Sequence, residues 1–91
     1  MGSWPCLGFG SAINLPNMRF NHFLSSYFPD TRYGGSRLFA DMLEQARVAD
    51  RLGYHAVSIP EHHLINILLT PAPLQMAVRV AAETEQVDIV T

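Results

Sequence analysis

The chain has 91 residues, of which 48% are apolar, and a formal net charge of −2, a composition typical of a globular protein and not of a disordered or fibrous one. Its six basic residues, all arginine, face eight acidic residues, so we expect no nucleic-acid partner. One cysteine excludes an internal disulfide, no run reaches the roughly 18 apolar residues that span a bilayer, and the N-terminus lacks signal-peptide features, so we expect a cytoplasmic protein without a membrane partner.

The N-terminal part of the chain divides into an irregular segment and a first strand. Residues 1–17 are rich in Gly and Pro and show neither strand nor helix periodicity, so we interpret them as an irregular extension. Residues 18–26 carry Phe20, Phe23 and Leu24, a pattern that favours a short buried strand.

The strongest periodic pattern lies in residues 37–52. Apolar residues recur there at spacings of three and four, which places them on one helical face: Leu38, Phe39, Met42, Leu43, Ala46, Ala49 and Leu52. We predict Ser36 as the N-cap of this helix and Gly53 as the glycine that follows its C-terminus.

The second half of the chain repeats the alternation of strand and helix. Residues 55–59 predict a second strand, and residues 87–90 a third. Between them, residues 73–85 have helical character, with Thr70 expected as the cap and Pro71 near the first helical position. The order strand, helix, strand, helix, strand predicts an α/β fold with a parallel sheet. Two such units make only part of a sheet, so we expect the chain to be cut short.

Three consecutive titratable residues, Glu61, His62 and His63, follow the second strand. Function in parallel α/β folds gathers at the carboxyl ends of strands, so a catalytic or ligand-binding role is one interpretation, with Glu61 fixing the tautomer of an imidazole. A hydrogen-bonded polar corner is a second interpretation. A metal site that also uses His22 is a third, although the spacing is not that of a known zinc motif. His55 lies at the other end of the strand, and we expect it to be structural.

Four segments together resemble the start of the bacterial luciferase-like flavin monooxygenases. They are MRFNHFLSSY, SRLFADMLEQARVADRLGY, HAVSIPEHH and LTPAPLQMAVRVAAETEQVDIVT, and they cover Met18 to Thr91. Glu-His-His by itself is a weak signal, but the helix that ends in LGY before it and the proline-led helix that ends in AAET after it make the pattern fairly specific. The sequence departs from the family at Ser58, where tryptophan is common, and at Val90, where glycine is common.

The resemblance implies that residues 18–91 are the first three strands and two helices of a TIM-type (β/α)₈ barrel, which is incomplete as given. The implied enzyme is a monooxygenase that uses reduced flavin mononucleotide (FMN), or a deazaflavin in some branches, and O₂ to oxidise a small organic substrate. The implied partner is a flavin reductase.

By the same resemblance His62 is the catalytic residue, with Glu61 and His63 in support and His22 as a further pocket-lining residue. We expect no metal site. The 91-residue chain alone is expected to be inactive and to self-associate, with homo-oligomers also open to it. The alternatives are a truncated, non-catalytic piece that binds a partner, or a small histidine-based metal-binding module.

Overall fold

The computed structural model describes residues 18–91, and the extension predicted over residues 1–17 lies outside the described residues. Strands and helices alternate as the sequence predicts. The elements are β1 (Asn21–Phe23), α1 (Gly35–Arg51), β2 (Ala56–Ser58), α2 (Pro73–Glu83) and β3 (Asp88–Val90), with a 3₁₀ turn at Thr31–Tyr33 before α1. Neither helix among these residues is long and apolar enough to cross a membrane.

The three strands form a parallel sheet in the order β1-β2-β3. His22 pairs with Val57, and Val57 pairs with Ile89, so these three residues lie in one row across the sheet. Helices connect the parallel strands, as such crossovers require. The α/β class and the parallel arrangement are therefore confirmed.

Helix α1 buries five of the seven residues predicted for its apolar face: Leu38, Met42, Leu43, Ala46 and Ala49. Phe39 is half-buried, and Leu52, just past the end of the helix, is exposed. Gly53 follows the helix with φ +86°, a left-handed conformation that glycine adopts without a steric penalty, so this prediction is confirmed. The predicted N-cap is wrong. Gly34, at φ 92°, occupies that position, and Ser36 is already the second helical residue, because the chain leaves the 3₁₀ turn in a conformation that favours glycine.

Helix α2 begins one proline later than the sequence suggests. Its N-cap is Ala72 and its first residue is Pro73, so the expected cap at Thr70 and first-turn proline at Pro71 are wrong. Thr70 is 2% exposed, and its carbonyl accepts the amide hydrogen of His62. Thr70 therefore belongs to the preceding loop. Pro73 still follows the physical rule, since proline at the first helical position has no amide hydrogen to leave unpaired.

Both helices cover the same side of the sheet. The buried cluster joins α1, α2 and β2 with residues that flank the strands, and it consists of Leu24, Leu38, Met42, Leu43, Ala46, Ala49, Val57, Ile59, Met76, Val80 and Val87. Val57, at the centre of β2, is 0% exposed. The core therefore lies between the sheet and one layer of helices.

The turn between α2 and β3 is held by a carboxylate from α1. Asp50 accepts hydrogen bonds from the backbone amides of Glu85, Gln86 and Val87 at 3.0, 2.8 and 2.9 Å. Hydrogen bonds to an ionised acceptor are stronger than neutral ones. One side chain thus fixes the entry of β3 into the sheet.

Candidate functional site

The side of the sheet on which no helix of residues 18–91 packs presents a mixed polar and apolar surface. Side chains alternate along each strand, so Asn21, Phe23, Ser58 and Val90 lie on the side opposite the row that contains Val57. Asn21 Nδ2 donates to Ser58 Oγ at 2.7 Å across this surface. Phe23 is 55% exposed and Val90 is 47% exposed. We call these four residues the open face.

The Glu-His-His motif leaves the sheet at the carboxyl end of β2, as the sequence predicts. Just before it, the amide of Leu24 donates to the Ser58 carbonyl at 2.9 Å, and the amide of Ile59 donates to the Val90 carbonyl at 2.8 Å. These bonds hold the carboxyl ends of all three strands at one edge. Glu61, His62 and His63 therefore stand where strand-to-helix loops open onto a crevice in parallel folds.

The two histidines of the motif have different surroundings. His63 Nε2 lies 2.7 Å from Glu61 Oε2, and both side chains are exposed. The carboxylate therefore engages the second histidine of the pair. His62 is partly buried, its amide donates to the Thr70 carbonyl at 3.0 Å, and its imidazole makes no side-chain hydrogen bond within residues 18–91. His62 thus keeps both ring nitrogens available for another group.

The loops that follow β1 and β2 are joined in a short antiparallel arrangement around Tyr27 and Leu68. The Leu69 amide donates to the Ser26 carbonyl at 3.0 Å, and Ser26 Oγ donates to the Leu69 carbonyl at 2.7 Å. Sequence reasoning missed Ser26 and the role of Thr70. No periodicity or motif marks a serine that pairs with a backbone group 43 residues away.

A cavity of about 360 Å³ lies between the loop after β1 and helix α1, and its lining includes Ser25, Tyr27 and Tyr33. The Tyr33 hydroxyl donates to Asp41, and this hydrogen bond raises the pKa of Tyr33 above the usual tyrosine value. The Arg37 guanidinium lies 4.3 Å from the centroid of the Tyr33 ring. The phenol is therefore held neutral and fixed in place near the carboxyl edge of the sheet.

His22 does not join the motif. It lies in the row of Val57, on the helix-covered side, and its Nε2 is 2.9 Å from Gln45 Oε1 of α1. It lines a separate cavity of about 230 Å³ together with residues of α1 and Tyr54. The geometry of β1 therefore turns His22 away from the open face.

His55 stands directly before β2, at the amino end of the sheet, where its Nε2 is 3.5 Å from Asp88 Oδ2. It is thus remote from the motif, as expected for a structural histidine. Residues 18–91 contain no group of three or more His, Cys, Asp or Glu side chains arranged to hold a metal ion. A module in which His22 and His62 share a metal receives no support from this arrangement.

Residues 18–91 match the protein family described as luciferase-like monooxygenase. The chain belongs to this family. It is also 31% identical over 74 residues to the oxygenase component of the flavin-dependent trigonelline monooxygenase of Acinetobacter baylyi. That similarity covers 81% of this chain and 21% of the relative, so the chain spans about a fifth of the length of the curated relative that it matches.

Proposed function

We propose that residues 18–91 form the first three strands and two helices of a (β/α)₈ barrel that works as a flavin-dependent monooxygenase. The observation that carries the proposal is the position of Glu61, His62 and His63 at the carboxyl end of the central parallel strand. In barrels of this type the active site lies at that end, in the loops that follow the strands.

The open face suits a flavin. A ligand site is mostly apolar with a few fixed polar groups, and the open face offers Phe23 and Val90 beside the hydrogen-bonded pair Asn21 and Ser58. The bound group would be reduced FMN, or a deazaflavin in its place, and it supplies the reducing electrons for the reaction of O₂ with a small organic substrate. Phe23 and Val90 would pack against it, while Asn21 and Ser58 would offer polar contacts.

The three side chains of the Glu-His-His motif have different proposed roles. His62 is the catalytic residue, because its imidazole has no side-chain hydrogen bond within the described residues and its backbone is fixed by Thr70. An imidazole has two ring nitrogens that can accept or donate a proton, so His62 can hold or deliver a proton at one of them. Glu61 holds His63, and this pair forms the polar rim beside His62.

The same proposal suggests a partner protein, a cellular compartment and a first substrate to test. The relative is an oxygenase component, which supports a separate flavin reductase that delivers reduced flavin. We place the enzyme in the cytoplasm, where such a reductase and its reduced flavin would meet it. The relative's name also supplies the first compound to assay, trigonelline.

The test is the His62→Ala variant of the intact enzyme that carries this chain. General acid–base catalysis contributes on the order of 10²- to 10⁴-fold, so turnover should fall by that factor while the thermal midpoint stays within a few degrees of the parent. Turnover is measured as substrate-dependent O₂ uptake with reduced FMN supplied by a reductase.

His55→Ala is the matched control, since His55 is an exposed histidine at the amino end of the same strand. It should retain full turnover. Parent-level turnover in His62→Ala would remove His62 from the mechanism, and an intact parent that neither binds reduced flavin nor consumes O₂ would end the monooxygenase proposal.

A second candidate is a non-catalytic piece that binds a partner through the sheet. The exposure of Phe23 and Val90, together with the free outer edges of β1 and β3 among the described residues, favours this candidate. It would also let the chain self-associate. The same flavin titration separates the two candidates, because a partner-binding piece has no reason to bind reduced FMN.

A further inference from the structure

The loop after the Glu-His-His motif contains both non-glycine residues of the described chain that have positive φ: Leu64 at 59° and Thr70 at 80°. Such values are uncommon for any L-residue, and for a β-branched residue they are true outliers. Thr70 also precedes Pro71, which restricts its backbone further. A strained backbone of this kind persists only where the surroundings hold it in place.

Thr70 carries a second unfavourable feature. Its side chain is almost fully buried, and its Oγ1 has no hydrogen-bond partner within residues 18–91. A buried hydroxyl without a partner loses its interactions with water and gains none in return. Two independent penalties therefore fall on one residue, next to the motif that we propose as the active site.

The strained backbone of Thr70 has a definite effect on His62. In this conformation its carbonyl accepts the His62 amide hydrogen at 3.0 Å. The preceding residue, Leu69, forms two hydrogen bonds with Ser26. The Leu69 amide donates to the Ser26 carbonyl, and the Ser26 hydroxyl donates to the Leu69 carbonyl. Ser26 is 1% exposed. We call Ser26, Leu69 and Thr70 the loop tether; it runs from the loop after β1 to the backbone of His62.

We infer that the loop tether positions His62, with Ser26 and Thr70 as positioning residues that do not themselves contact substrate. Ser26 fixes the Leu69–Thr70 backbone, and the left-handed conformation of Thr70 aims its carbonyl at the His62 amide. The backbone from which the imidazole projects is thereby fixed from the loop after β1, a different strand. The inference rests on the proposed role of His62 for its meaning in catalysis, although its structural content does not.

Ser26→Ala is the deciding variant, because it deletes only the hydroxyl that donates to the Leu69 carbonyl. Opening of the tether should speed hydrogen exchange of the His62 amide by up to about tenfold, the factor that one hydrogen bond supports. The NMR signals of the His62 imidazole should shift as well. Amide exchange and imidazole signals of His63, whose side chain binds Glu61, should stay at parent values.

Ser25→Ala is the matched control, since Ser25 is an exposed neighbour whose hydroxyl only accepts from the Tyr27 amide at 3.3 Å. It should leave both histidines unchanged. If Ser26→Ala lowers thermal stability but leaves His62 exchange and imidazole signals at parent values, the tether is merely structural and the inference is overturned.

Thr70→Gly decides the matter if Ser26→Ala fails to fold. Glycine adopts positive φ without strain, and its freedom to leave that conformation should speed His62 exchange several-fold. Unchanged exchange would overturn the part assigned to Thr70.

Turnover provides a separate readout. In the intact enzyme, Ser26→Ala should lower kcat several-fold with little change in KM, because substrate contacts remain. If the parent shows no monooxygenase turnover, the proposed function fails, while the exchange measurements still judge the loop tether by themselves.

Discussion

The two sides of the sheet differ although the same three short strands build both. On the helix-covered side, Val57 is fully buried beneath Met42 and Val80, which are themselves 0% exposed. On the open face, Phe23 and Val90 leave about half of their surface exposed. One side holds a finished core, and the other holds a surface suited to further contact.

This difference separates stability from function along a single strand. Residues that face the helices decide whether the chain folds, because removing them leaves a cavity in a packed interior. The exposed residues of the open face and of the carboxyl edge do not pack in this core and are therefore available to bind ligands. In β2 the two roles alternate residue by residue, from Val57 to Ser58.

The largest stability effect should come from Met42→Ala on the covered side. Truncating a fully buried methionine removes apolar contacts and leaves a cavity, so the free energy of unfolding should fall by about 2–5 kcal/mol. Chemical denaturation of the purified chain measures the loss. Phe23→Ala on the open face is the control, and its cost should stay below about 1 kcal/mol in the 91-residue chain.

The same pair of variants can break the comparison. If Phe23→Ala in the 91-residue chain costs as much as Met42→Ala, the open face is already covered there, by a second copy or another segment. If the large Phe23 cost appears only in the proposed intact enzyme, the contrast between the two sides becomes sharper, since the remainder of the proposed barrel would then cover the open face.

A smaller effect is expected from Asp50→Ala at the covered side's edge. This change deprives three backbone amides of their acceptor at the start of β3, and bonds to a charged acceptor support a loss of about 2 kcal/mol. Denaturation gives the loss, and hydrogen exchange at Val87 should rise. Glu44→Ala, which removes only exposed ion pairs on the same helix, should cost about 0.5 kcal/mol or less. Equal losses would show that Asp50 is an ordinary surface charge.

The smallest effect concerns pH. Arg47 and then Arg79 hold the pKa of Glu83 below its usual range. A carboxylate with a lowered folded-state pKa stabilises the fold above its unfolded pKa, and this contribution disappears as pH falls through the folded value. Glu83→Gln should therefore lower the melting temperature at neutral pH, and the difference from the parent should vanish well below about pH 4.3, the ordinary glutamate pKa. A difference independent of pH would assign the loss to packing.

Much of the fold could be predicted because local periodicity determines it. The helical face of α1, the glycine after it and the order of the strands all follow from residues close in sequence. The sequence also predicted the position of Glu61 to His63 at the carboxyl edge, because the carboxyl ends of parallel strands all lie at the same edge of a sheet.

The errors and omissions share a physical origin. Ser36 and Thr70 have the chemistry of caps, but backbone conformation decided otherwise, with Gly34 turning the chain into α1 and Thr70 bound to His62. Asp50 and Ser26 form hydrogen bonds with residues 35 and 43 positions later in the chain. No local periodicity in a single sequence predicts contacts at such separations. The face on which His22 lies depends on strand register, and a shift of one residue reverses it.

The order of the strands in space equals their order along the chain. Each new unit therefore docks on the one made just before it. During synthesis at the ribosome, β1, α1 and β2 can fold first. Ser26 can then form its hydrogen bond with Leu69 as soon as Leu69 emerges. The Glu-His-His corner would thus be shaped while α2 is still inside the ribosomal exit tunnel.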